Sequence, residues 1–156
     1  MKAEAAGRRT PITIFAGRYK VSPSLKKKIR TLAKRIIKGE KRTLQTSLIF
    51  IGDAKMKALN SRFRGKEKTT DVLSFPIEAN SKKVEGEIYI SAPQARRQAP
   101  LFGNKAEGEI LRLSAHGFLH LLGYGHHTVK ERAEMFKREE NYLRELDASS
   151  SRGEKC

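Results

Sequence analysis

Residues 114–127 read Ser-Ala-His-Gly-Phe-Leu-His-Leu-Leu-Gly-Tyr-Gly-His-His, and no other stretch narrows the possible folds of this chain so far. His116 and His120 stand four apart in an apolar run, so a helix through them places both rings on one face. The Gly-Tyr-Gly that follows ends such a helix and turns the chain back, which lets His126 or His127 approach the same face. Neutral imidazoles in this arrangement suit Zn²⁺, which in catalytic sites usually takes three protein ligands and leaves a fourth position to water. A packed cluster of hydrogen-bonded histidines is the competing arrangement. All four histidines of the 156 residues fall within twelve positions, and that concentration favours a metal site.

The chain has the length of one domain with a real core. Hydrophobic residues make up 38% and charged residues 32%, but apolar segments recur along the chain, which predicts a globular protein with a heavily charged surface. Thirty-three Lys and Arg face 17 Asp and Glu, a net charge of +16. Between Arg18 and Arg42 stand eleven basic side chains and a single acid, Glu40. Such an excess predicts a polyanionic partner, because neutralising each phosphate releases counterions. With no Trp and few aromatics, affinity is expected from phosphate contacts more than from base stacking. The sole cysteine, Cys156, excludes an internal disulfide. Neither a leader-like apolar segment nor a membrane-spanning run is present, which predicts a cytoplasmic protein without membrane association.

The remaining elements follow from pattern. Residues 11–16 read as a short strand, and Ser22 or Ser24 caps a helix to about Lys38 that buries Leu25, Ile29, Leu32, Ala33, Ile36 and Ile37 and stops at Gly39. Residues 46–51 form a buried strand, and Asp53 caps a helix to about Phe63. A polar loop over 64–70 leads to a strand over 71–75 stopped by Pro76, then a turn over 78–83 and a fourth strand over 85–91. A short helix from Ser91 to about Arg97, the histidine helix over 104–122 and an amphipathic helix from Thr128 to near Leu146 complete the chain. Phe118, Leu119, Leu121, Leu122, Met135 and Phe136 are core by spacing. The expected architecture is α+β: a single domain over 1–147, with a small mixed four-stranded sheet packed with about five helices, and a disordered tail over 148–156.

Zinc peptidases place a Glu directly after the first His as general base, and here that position is Gly117, so a peptidase mechanism of that type lacks its base. The segment from His116 to Tyr124 with His126 resembles the H-G-x-L-H-L-x-G-Y-D-H pattern of the YbeY family of bacterial metal-dependent endoribonucleases. Leu59-Asn60 through Arg64-Gly65-Lys66 and Thr70 to Pro76 (TDVLSFP) are similar to that family's second block, and Gly86 to Ser91 (GEIYIS) to its third. The resemblance runs in the same order over about residues 46–146.

The resemblance implies a single zinc ion held by His116, His120 and His126, with His116 also counted among the catalytic residues, and a functionally important arginine at Arg64. An arginine in that loop can grip a phosphate bidentately. It further implies a single-strand-specific endoribonuclease of rRNA maturation, including 16S rRNA 3′-end processing and ribosome quality control. The implied partners are single-stranded RNA, rRNA precursors and the ribosome or its proteins. The alternatives are an RNA-binding ribosome assembly factor with structural zinc, or a zinc hydrolase of another class. Where the family has Asp beside the third ligand, this chain has Gly125, which removes a carboxylate able to steady a ligand ring. Asp71 is read as a turn cap.

Overall fold

The computed structural model describes the backbone of residues 12–64, 70–125 and 127–155; the side chains of Arg64 and of residues 147–155 lie outside the description. Four strands, β1 (Ile12–Phe15), β2 (Thr43–Ile51), β3 (Val72–Ala79) and β4 (Lys83–Ser91), form one sheet in the order β1-β2-β4-β3. The β1–β2 and β2–β4 pairs are parallel and β3 runs antiparallel to β4, so the sheet is mixed as expected. Among the described residues, five α-helices accompany it, α1 (Pro23–Glu40), α2 (Asp53–Arg64), α3 (Ala92–Gln98), α4 (Ala106–Leu121) and α5 (Val129–Lys155), with a short 3-10 turn at Ala99–Phe102.

Strand alternation divides the helices between the two faces. Leu44, Leu48 and Phe50 of β2 and Val84, Ile88 and Ile90 of β4 point to one side, where they share a core with Leu25, Ile29, Leu32 and Ile36 of α1 and Leu113, Phe118 and Leu119 of α4. Helix α2 covers part of the other side, with Met56 against Ile51 and Leu73. On the main face α4 lies close to the sheet because two glycines meet there. A Cβ at Gly117 would come within 2.9 Å of Ile88, and one at Gly86 within 2.7 Å of Leu121. Gly117 therefore faces the sheet, away from the histidine face of α4, so this position has no room for a carboxylate.

Several expected boundaries shift. Ser22 caps α1, its Oγ accepting from the Leu25 amide at 3.0 Å, but the helix runs through Gly39 to Glu40 and ends on Lys41 with φ +59°. Gly39 has a packing role, since a Cβ there would press on the Tyr142 ring. Pro76 does not stop β3; it pairs with Gly86, and the register slips between Pro76 and Glu78. An edge strand tolerates proline and a bulge because a missing N–H need not break a ladder bond.

Phe136 is 63% exposed rather than core. The buried stripe of α5 is Met135, Glu139, Tyr142 and Leu146, and Phe136 stands one residue off it. Helix α5 is longer than expected: it passes the end read near Leu146 and extends to Lys155. No proline interrupts it there, and extending a nucleated helix costs little per residue.

A candidate metal centre

Helix α4 owes its length to one buried face, with Ile110, Leu113, Ala115, Phe118, Leu119 and Leu121 packed inward. His116 and His120 stand off this core face, their rings nearly parallel, at 4° with centroids 6.4 Å apart. The helix stops where expected, at Gly123 with φ +108°. Arg42 fastens that end by donating to the Leu122 carbonyl at 2.7 Å and to the Asn80 carbonyl of the β3–β4 turn at 2.8 Å.

Each histidine has a partner at Nδ1. His116 Nδ1 lies 2.5 Å from Oε2 of Glu139, a 7% exposed carboxylate on α5, and His120 Nδ1 lies 3.1 Å from the Tyr124 carbonyl. A carbonyl oxygen can only accept, so His120 carries its proton on Nδ1; facing a carboxylate, His116 does the same. In the neutral ring the lone pair is then on Nε2. Two imidazoles on one helix face, each with Nδ1–H directed to an oxygen, suit zinc as two of the three protein ligands that a catalytic site takes. The residues present fit the metal.

Of the other predicted site residues, His126 lies outside the described residues, and no group of three metal-ligating side chains occurs among those described. His127 is exposed, and its amide donates to Glu131 Oε1 at 2.9 Å. Thr128 Oγ1 accepts from the Glu131 amide at 3.0 Å, and Glu131 reaches back to Thr128, a reciprocal cap that starts α5. A Cβ at Gly125 would come within 3.0 Å of Glu131 Oε1. A carboxylate thus stands beside this turn although residue 125 supplies none. Arg64 ends α2, and its side chain lies outside the description.

A polar network lies two turns before His116 on the same helix. Glu109 is fully buried, and Arg112 grips it bidentately at 2.9 and 2.6 Å, while Gln98 and Asn104 donate at 2.7 and 3.0 Å. Burial works to raise the Glu109 pKa, but these hydrogen bonds outweigh it and hold the carboxyl below its ordinary value. Gln98 also donates to Asp71 Oδ2 at 3.0 Å, and the Asp71 carbonyl accepts from the Ser91 amide. Asp71 therefore ties the start of β3 to α3, beyond the turn cap read from sequence.

Glu139 and the Gln98 partner of Glu109 escape sequence reading because they sit on other helices, and the Tyr124 carbonyl because its direction is set by the turn after α4. Glu139 alone left a trace: it is a lone acid at i, i+4, i+7, i+11 spacing among Met135, Tyr142 and Leu146.

A mixed four-stranded sheet packed with helices, one of them bearing two Nδ1-anchored histidines and followed by a glycine turn, defines an α+β domain with a histidine-lined candidate site. The Endoribonuclease YbeY family model matches residues 14–147. Endoribonuclease YbeY of Nautilia profundicola is 46% identical over 104 residues, 67% of this chain and 73% of that protein, and its counterpart from Desulforamulus reducens is 42% identical over 110 residues, 65% and 72% respectively. The solution structure of TM1509 from Thermotoga maritima superposes with a TM-score of 0.63 at 29% identity, covering 91% of this chain and 93% of that one. The chain belongs to the YbeY endoribonuclease family.

Proposed function

We propose that this chain is a zinc-dependent endoribonuclease that cuts single-stranded RNA, acting in the cytoplasm on rRNA precursors, in 16S rRNA 3′-end maturation and in ribosome quality control. The observation that carries the reading is the pair of Nδ1 hydrogen bonds at His116 and His120, which commits both rings to one tautomer. His116, His120 and His126 are the proposed ligands. A zinc ion held there supplies Lewis acidity toward a phosphoryl oxygen and lowers the pKa of water.

The chain's own residues do the rest. Glu139 accepts a hydrogen bond from His116 Nδ1–H, which leaves Nε2 as the donor atom and keeps the ring from rotating. The Tyr124 carbonyl does the same for His120. Arg64 is proposed to bind a phosphate oxygen through its planar fork, offsetting charge that builds on phosphorus. The exposed lysines of α1, Lys27, Lys34 and Lys38, belong to the excess of +16 that attracts the RNA backbone. Among the described residues no helix is long and apolar enough to cross a membrane.

The test is cleavage of an end-labelled single-stranded RNA and its duplex by nuclease-free protein, with and without chelator. Cleavage of the single strand alone, abolished by chelator, is expected. A 2′,3′-cyclic phosphate in the product assigns attack to the ribose 2′-OH, whereas a 3′-hydroxyl on one fragment with a 5′-phosphate on the other assigns it to water. RNA binding without cleavage, surviving chelation, would instead favour an assembly factor with structural zinc.

A further inference from the structure

Glu40 is the one acid in the basic stretch 18–42, and it is folded inward, with its side chain 10% exposed. Its Oε1 accepts from the Tyr124 hydroxyl at 2.7 Å, and its Oε2 accepts from the Tyr142 hydroxyl at 2.6 Å and from Arg138 at 2.9 Å. The Arg138 guanidinium also lies 5.0 Å from the Tyr124 ring centroid. The end of α1, the turn after α4 and the middle of α5 thus converge on one carboxylate.

Tyr124 is the residue whose carbonyl receives the His120 Nδ1 proton. It stands between Gly123, at φ +108°, and Gly125, so the local chain has unusual conformational freedom. Its amide bonds to the Leu119 carbonyl at 3.1 Å, which closes the helix end, but one backbone bond between two glycines does not fix where the next carbonyl points. The side chain supplies the missing constraint through its hydroxyl on Glu40.

We infer that Glu40 is a positioning residue for the metal centre, acting through the Tyr124 side chain to aim the Tyr124 carbonyl at His120 and so hold that ring as the Nδ1–H tautomer with Nε2 as the donor atom. The inference rests on the zinc reading of the site. The chemistry of the pair supports it: burial opposes the Glu40 charge, but the bonds from Tyr142, Tyr124 and Arg138 keep its carboxyl below the ordinary value. Glu40 Oε1 can only accept, so the Tyr124 hydroxyl is the donor of the 2.7 Å bond that fixes the ring.

The test compares wild type with Glu40→Gln, Tyr124→Phe and Tyr142→Phe by two readouts. One is the ¹⁵N NMR tautomer pattern of His120 in zinc-free protein, and the other is zinc affinity by competition with a chromophoric chelator. Wild type is expected to show the Nδ1–H form. Glu40→Gln and Tyr124→Phe should mix the tautomers and weaken zinc binding about tenfold, the effect typical of losing a partner behind a metal ligand. Tyr142→Phe, which removes a donor on Oε2 only, should lower the melting temperature and leave both readouts at wild-type values. If Tyr124→Phe keeps the wild-type tautomer and affinity, Glu40 is a packing residue and the inference is overturned, even where Glu40→Gln fails to fold. Wild type that shows the Nδ1–H form but binds no zinc would overturn the metal reading separately.

Discussion

His116 Nδ1 and Glu139 Oε2 lie 2.5 Å apart, joining two helices through residues 23 positions apart in the chain. The carboxylate is all but buried, and its place on the Met135–Tyr142–Leu146 stripe leaves it little freedom to turn elsewhere.

Replacing it should therefore separate metal affinity from fold. Glu139→Gln keeps the shape of the side chain but presents a weaker acceptor to the imidazole, so zinc affinity should fall about 10- to 100-fold. Circular dichroism should retain its helical signal. Equal zinc affinity in the variant would show that Glu139 only packs.

Arg64 should behave in the opposite way. Arg64→Ala is expected to retain zinc and the melting temperature while losing turnover, and Arg64→Lys to rescue poorly because a point charge lacks the bidentate fork. Single-turnover cleavage with saturating enzyme reads the difference. Full activity in the lysine variant would assign the effect to bulk charge.

Helix α1 carries Lys26, Lys27 and Lys28 on its partly or fully exposed side, while Leu25 and Ile29 face the core. Reversing the three lysines to Glu should weaken RNA binding, make the slope of log affinity against log salt shallower, and leave zinc content unchanged. An unaltered slope would place the RNA path elsewhere.

Acid should destabilise the fold in a defined window. Glu40 and Glu109 both have folded pKa values below the ordinary 4.5. The stability they contribute is fully present above that unfolded value and is lost as pH falls through their lower folded values. Denaturant titrations across this range should therefore show falling stability below about pH 4.5, the unfolded carboxylate value. Glu40→Gln should flatten part of that fall, and an identical pH profile in the variant would contradict the assignment.

Much of this fold was legible because the local signals agree with the packing. Ser22 and Ser91 both cap the helices that follow them, and the alternation of β2 and β4 marks one deeply buried face. The histidine pair was legible for the same reason, since four-residue spacing on a helix fixes a shared face without any tertiary contact. What escaped depends on partners far apart in sequence. Gly39 reads as a helix stop until Tyr142 is packed on it, and Pro76 reads as a strand stop until β3 is placed at the edge. Glu40 looked like a stray acid in a basic run, and only the meeting of α1, α5 and the Tyr124 turn gives it two tyrosines and an arginine.

The most direct measurement is zinc content by elemental analysis, paired with single-strand RNA cleavage, in wild type and in four variants: His116→Ala, His120→Ala, His126→Ala and His127→Ala. About one zinc per chain is expected in wild type, as for a site with three protein ligands and one open position. The first three variants should lose both metal and cleavage, while His127→Ala, whose residue is exposed at the start of α5, should retain both. Wild-type zinc content in His116→Ala and His120→Ala, or cleavage that persists without metal, would contradict the account.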